Sequence, residues 1–422
     1  VQIARYVRRG EVDSARAELR RGADPNAPVP GLEQTTLLGV AASSPRSGVE
    51  MIDLLLDHGA EIDRADGSLG HTPLHLAAKF GDLVKVRRLV ERGASLHKKA
   101  SAGYSAVLFS AFNRTGQAPE IARFLLRLGV DPHAASEYGE SPLGVAAGFG
   151  DGELVGLFLD AGVDPVSIAW TPLHRAAALG DRAALAVANS SHLESRDRAG
   201  RTPLLVALQF GDAQAAQALR ALGADLRVES RGSRNALMHA ARSGAPSAVA
   251  WVLENAAPDL HVRDDLGLDA LSNAVESAAV PCVAALLAAG ADPSVHGPTG
   301  ESPVHHLPVH YAPEASAQLA GLLLDAGADP AVIAPTGDHP LRDAAQFGCL
   351  DLLRLLLDHG VPPNLNSTGE TALHVAVSVD DDEAVRLLLA SGADPNQPDV
   401  DGDLPADFLR SEETAEALRA LS

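Results

Sequence analysis

Four histidines stand three residues after a hydroxyl side chain, in the pairs Thr72 and His75, Thr171 and His174, Ser302 and His305, Thr371 and His374. Hydroxyl, imidazole and a nearby carboxylate such as Asp181 are the ingredients of nucleophilic catalysis. A catalytic triad is one constellation in one place, however, and here the pair recurs at a fixed point of a longer motif. Two histidines four apart on a helix can share a metal, so His305, His306 and His310 are tested separately. Pro308 interrupts that stretch, and no His-Glu-x-x-His pattern accompanies it. The run Asp380-Asp381-Asp382-Glu383 lacks the glycine and spacing of a calcium loop. It falls where a helix should start, and the helix dipole is reason enough for acids there. Cys282 and Cys349 are too few for a disulfide framework or a cysteine-based zinc site and read as packing residues. No phosphate-cradling glycine loop or nucleophile elbow is present. The expectation is a chain with no catalytic residues, no metal and no cofactor.

The elements that carry these residues repeat. Thr72-Pro73-Leu74-His75-Leu76-Ala77-Ala78 returns as Ser141-Pro142-Leu143, Thr171-Pro172-Leu173-His174, Thr202-Pro203-Leu204, Ser302-Pro303-Val304-His305 and Thr371-Ala372-Leu373-His374. Leucine-rich runs follow, closing in Gly-Ala-Asp-Pro or a relative, as at Gly22-Ala23-Asp24-Pro25 and Gly392-Ala393-Asp394-Pro395. The threonine position falls at 36, 72, 105, 141, 171, 202, 235, 269, 302, 339, 371 and 404, with spacings from 30 to 37. Thr or Ser there is a good N-cap, and proline at the first helical position gives up an N–H that has no helical partner anyway. The alanine pair keeps the first helix thin. Leu54-Leu55-Leu56 and its equivalents supply an apolar ridge on the second, and the glycine after it suits a left-handed C-cap. In the shortened repeat after Thr171, Asn189 stands where that glycine should be and is expected to take its conformation.

This register, sustained along the whole chain, resembles the ankyrin repeat. The resemblance implies an all-α repeat solenoid: antiparallel helix pairs with β-hairpin fingers, in one curved, continuous stack. It divides the chain into an N-terminal capping repeat over 1–31, eleven full repeats over 32–402 and a C-terminal cap over 403–422, whose last helix Ser411 can cap. With helices about 8–10 Å apart, such a stack would form an arc on the order of 100 Å. The family's motif histidine is structural, which is the role implied for His75, His174, His305 and His374.

Composition narrows the partners. Hydrophobic residues make up 46% of the 422, so a packed chain is expected, and no apolar run is long enough to span a membrane. Net charge is +4 over 1–130, −4 over 131–263 and −21 over 264–422. That balance disfavours nucleic acid and anionic membrane over most of the surface. Arginine outnumbers lysine 30 to 4, and alanine is abundant, as in a GC-rich genome such as many bacteria have. Because the chain begins at Val1 without a methionine, the expectation allows for an N-terminal targeting segment that has been cut away. A cytoplasmic monomer is the expectation.

Partners of the family usually bind a concave face of finger tips and first-helix ends. Tyr104, Tyr138 and Trp170 fall in three successive fingers, with Lys98 and Lys99 beside the first of them. Eight residues after the threonine position come Phe80, Phe149, Leu179, Phe210 and Phe347, with Phe112 one residue earlier in its repeat. Arg196, Arg198 and Arg201, then Arg227, Arg231 and Arg234, occupy the next fingers. Exposed aromatics and arginines are the usual anchors of interfaces, while the same aromatics can pack beneath a neighbouring finger. The expectation is a non-catalytic module binding a protein or peptide, centred on the third to seventh full repeats. Two other functions fit the sequence. One is the targeting part of a longer enzyme or secreted effector; the other is an inhibitor or immunity-type protein covering a basic partner with its acidic last third.

Overall fold

From Thr36 to Thr371, each first helix starts on a side chain able to accept a hydrogen bond from the backbone three residues on. Thr36 Oγ1 takes the Gly39 amide at 2.9 Å, Asn235 Oδ1 that of Met238 at 3.0 Å and Asp269 Oδ1 that of Ser272 at 2.7 Å. His339 does the same through Nδ1, 3.2 Å from the Arg342 amide. The position thus selects cap chemistry and not threonine as such. A second set of caps opens the second helices: Asp82, Asp151, Asp181, Asp212 and Asp381 accept from the third residue on at 2.8–3.1 Å.

The computed structural model describes residues 2–29, 35–67, 69–294, 297, 300–309, 312–334, 337–366, 369–409 and 412–420. Among these, the elements are helices in antiparallel pairs, with no extended strand. The chain forms two compact units, Val1–Ile168 and Ala169–Ser422. In the first, helices Leu37–Ser43, Pro73–Phe80, Ala106–Ala111 and Pro142–Phe149 alternate with Val49–Asp57, Leu83–Glu91, Ala118–Arg127 and Gly152–Asp160. Ala77, Ala78, Ala146 and Ala147 are buried where first helices stack, and Leu55, Leu89, Leu125 and Phe158 are buried beneath the second helices. Burying each such large side chain contributes about 1.5–3 kcal/mol. The second unit repeats the arrangement from Pro172–Leu179 to Glu412–Ala420. Two of its first helices contract to single 3-10 turns, Pro303–His306 and Pro405–Phe408.

Among the described residues the fingers are turns, not β-ladders. Isolated bridges join Pro28 to Thr36 and Lys99 to Ser105. An aspartate builds the turn in several fingers. Asp197 Oδ1 accepts the Ala199 and Arg201 amides, both at 2.9 Å, and Asp264 and Asp399 repeat the pattern. Side-chain acceptors thereby take amides that a longer hairpin would give to a facing strand. Successive fingers are tied by single backbone bonds: Ser101 N–H to Leu69 O and Glu137 N–H to Ala102 O in the first unit, Arg231 N–H to Ala199 O in the second. At Gly200 (φ +77°) a Cβ would lie 2.8 Å from Arg231 N, so this closeness requires glycine.

The repeat around Thr171 is shortened as its spacing indicated. The first unit ends on a 3-10 turn, Pro165–Ile168, and Ala169 (φ +60°) leads into Trp170. The second helix of this repeat is only Arg182–Ala186. Asn189 does not replace the glycine. The left-handed residue is His192 (φ +69°), while Asn189 Oδ1 accepts the Ser191 amide at 2.9 Å in a turn of its own. Losing residues from the helix moved the reversal further along the chain. The Ser411 cap lies outside the described residues.

Candidate protein interface

The motif histidines are spent on the scaffold. His75 Nδ1 accepts the Thr72 amide at 3.1 Å, so its proton sits on Nε2, which donates to Lys98 O at 3.1 Å. His174 links Thr171 to Arg201 O at 3.2 and 3.0 Å, and His374 links Thr371 to Asp403 O at 3.1 and 3.2 Å. Each ring thus ties a helix start to the next finger. Burial pushes His75 down to about 4 and lowers His174 as well, against the finger carbonyl that favours a proton. His305 Nδ1 accepts the Ser302 amide at 3.0 Å, and His306 Nε2 lies 3.9 Å from the Glu301 carboxylate. His310 lies outside the described residues.

In the first unit the helix-end aromatics and a finger tyrosine form one row. Tyr104 stacks obliquely on Phe109 at 5.4 Å and on Phe112 at 6.3 Å, and Phe112 meets Phe149 edge-on at 6.2 Å. The Arg114 guanidinium lies 4.5 Å over Phe149, and the Lys79 ammonium lies 4.7 Å over Phe80 and 5.9 Å from Phe109. Phe109 is the buried floor, Tyr104, Phe112 and Phe149 are half-buried, and Phe80 is 40% exposed. The Tyr104 hydroxyl donates to the Glu140 carboxylate, the main reason its pKa is raised. Tyr138 stands clear at the next tip, 78% exposed, and Leu69 is exposed at an earlier one. Lys98 and Lys99 are exposed beside this row; Lys98 Nζ reaches Asp63 O at 3.1 Å.

Two expected contact residues of the second unit are internal. Trp170 is only 3% exposed: its indole N–H reaches Asp197 Oδ2 at 3.2 Å and its ring meets Phe210 at 6.2 Å. Arg201 is buried too, paired to Asp197 at 2.6 Å and donating to Gln209 Oε1 at 3.0 Å. Gln209 also takes His239 Nδ1 at 2.9 Å, and His239 Nε2 meets Ser230 Oγ at 2.9 Å. The shortened finger draws the indole inward, where the turn-building Asp197 offers its second oxygen. Neither residue presents a surface to a partner. Phe210 is half-buried against Trp170. Arg196 is exposed but bonds Gly200 O and Glu229 O at 2.8 and 2.7 Å, tying two fingers together. Arg198 is exposed at its tip.

Lys79 and Leu69 are the side chains that sequence reasoning missed. The signal was a Lys-Phe pair closing the first helix at Lys79 and Phe80, and an apolar residue just before the finger glycine Gly70.

Capped helix pairs, joined by turn-built fingers and pinned by buried imidazoles, define a helical-repeat scaffold. The family model for ankyrin repeats in three copies matches residues 4–100, 183–264, 204–297 and 309–399. The chain belongs to the ankyrin-repeat family. It is 30% identical to the NF-kappa-B inhibitor delta of Mus musculus over 268 residues, 60% of this chain and 76% of that protein. It is 28% identical to the ankyrin repeat domain-containing protein SAT10 of Stachybotrys chartarum over 313 residues, 71% of this chain but 14% of that one. The solved ankyrin repeat domain of human ASB11 aligns over 53% of this chain and 98% of its own at 23% identity, with a TM-score of 0.48. Ankyrin repeats generally mediate protein–protein interaction, and no helix among the described residues is long and apolar enough to cross a membrane.

Proposed function

We propose that the chain is a non-catalytic interaction module that binds a protein or peptide through finger tips and first-helix ends, focused in its first unit. The observation that carries this is the row from Phe80 through Tyr104 and Phe112 to Phe149, left partly open to solvent with Tyr138 exposed beside it. Rigid aromatics held by their neighbours lose little side-chain freedom on binding, which favours them as anchors. Lys98 and Lys99 add charge at the edge, and Arg198 offers an exposed guanidinium on the second unit. A protein partner also agrees with the name of the mouse relative, an inhibitor of another protein. The test is quantitative capture of partners from the native cell with wild type and with the Phe112→Ala/Tyr138→Ala pair. Partners on this face are lost with the pair while circular dichroism is unchanged; full retention contradicts the reading.

The charge of −21 over residues 264–422 favours a second reading, an inhibitor that covers a basic partner with this stretch. Binding would then weaken steeply between 50 and 500 mM salt and ignore the aromatic pair.

A further inference from the structure

The aromatic row of the first unit holds a cation with no counter-ion. Lys79 is half-buried at the end of helix Pro73–Phe80, its ammonium over the rings of Phe80 and Phe109. Among the described residues no carboxylate or carbonyl pairs with it. Burial lowers its pKa, with no neighbouring acid opposing. The nearby acids are engaged elsewhere. Asp66 accepts the His71 amide at 2.7 Å, Asp63 takes the Ser95 amide at 3.0 Å, and Glu140 accepts the Tyr104 hydroxyl. Glu137, exposed beside Tyr138, is the acid left at the far end. A desolvated ammonium on an aromatic floor gains most from an anion brought in by a ligand. Lys98 and Lys99, exposed beside the row, give the ligand a direction.

Resting on the interaction reading above, we infer that this face takes an acidic–apolar peptide segment. Its carboxylate pairs with Lys79, and an adjoining apolar side chain lies across Phe80, Phe112 and Phe149. The acidic end points toward Lys79, Lys98 and Lys99, and the apolar end toward Tyr138.

The test is selection of displayed random twelve-residue peptides on the full chain, followed by anisotropy titration of the best synthetic peptide. The selected pool should join Asp or Glu to large apolar residues. Lys79→Met, which keeps the aliphatic stem, should weaken the peptide roughly tenfold or more. A Glu→Gln change in the peptide should weaken it equally on wild type and leave Lys79→Met unaffected, a readout independent of any folding defect. A pool without acid enrichment, or a peptide indifferent to Glu→Gln, overturns the inference and leaves the interaction reading standing if Phe112→Ala/Tyr138→Ala still abolishes binding. Selected peptides indifferent to that pair overturn both.

Discussion

His75 shows what the recurring imidazole does at the scale of one residue. Its ring is almost wholly buried and neutral, with one nitrogen accepting from Thr72 and the other donating to Lys98 O. Because its folded pKa is about 4 against 6.5 for the free side chain, the unfolded chain takes the proton first as pH falls. The stability it contributes is therefore full above about pH 6.5 and is lost toward pH 4. His75→Gln keeps an acceptor and a donor without titrating. Urea unfolding at pH 7 and pH 5 should show wild type losing about 1–2 kcal/mol more than the variant. Asp343 has the opposite sign. Burial first, then Asp338, raise its carboxyl to about 6 against the pull of Arg342. The folded state is penalised progressively as pH rises from about 4 to 6, and constantly above. Asp343→Asn should stabilise by about 1–2 kcal/mol at pH 7.5, after allowance for screening, and by nothing at pH 3.5. Denaturant midpoints at the two pH values decide it.

At the scale of the element, one finger and the helix it covers explain why Trp170 is not the anchor its sequence position suggested. Asp197 uses one oxygen to build its turn and the other to bind both the Trp170 indole and Arg201. The ion pair is all but fully buried, at 5% and 1% side-chain exposure. Removing the cation strands a carboxylate in the interior, so Arg201→Leu should cost about 3–5 kcal/mol. Equilibrium denaturation of the variant checks it, and a loss under about 1 kcal/mol would refute the buried-network account. The helix starts were legible in the sequence because capping is local: Thr72, Asn235 and Asp269 each reach an amide three residues away. The fate of Trp170 was not. It depends on Asp197, twenty-seven residues later, and on how a shortened finger turns its ring. For the same reason Asn189 was a plausible left-handed residue by type, yet the reversal falls at His192.

Over the whole molecule, repetition made the fold readable and left the site harder to see. A register kept from Thr36 to Leu404 specifies helix pairs many times over, so substitutions such as His339 for threonine still fit. A site, by contrast, is where repeats differ. Tyr104, Phe112 and Phe149 were visible as residue types, but their joining into one row depends on contacts between repeats, and Lys79 acquires meaning only from the rings beneath it. The two units carry different surfaces. The first offers aromatics with lysines, while the second has both its tryptophans and one finger arginine folded inward. The measurement that bears most directly on this account is calorimetric titration of the captured partner into three proteins: wild type, Phe112→Ala/Tyr138→Ala, and Val84→Ala/Val187→Ala, the last pair being exposed residues that are not members of the row. Two anchors at about 1.5 kcal/mol each predict a roughly hundredfold weaker Kd for the aromatic pair and an unchanged Kd for the valine pair. Equal affinities for all three, or a loss confined to the valine pair, would contradict it.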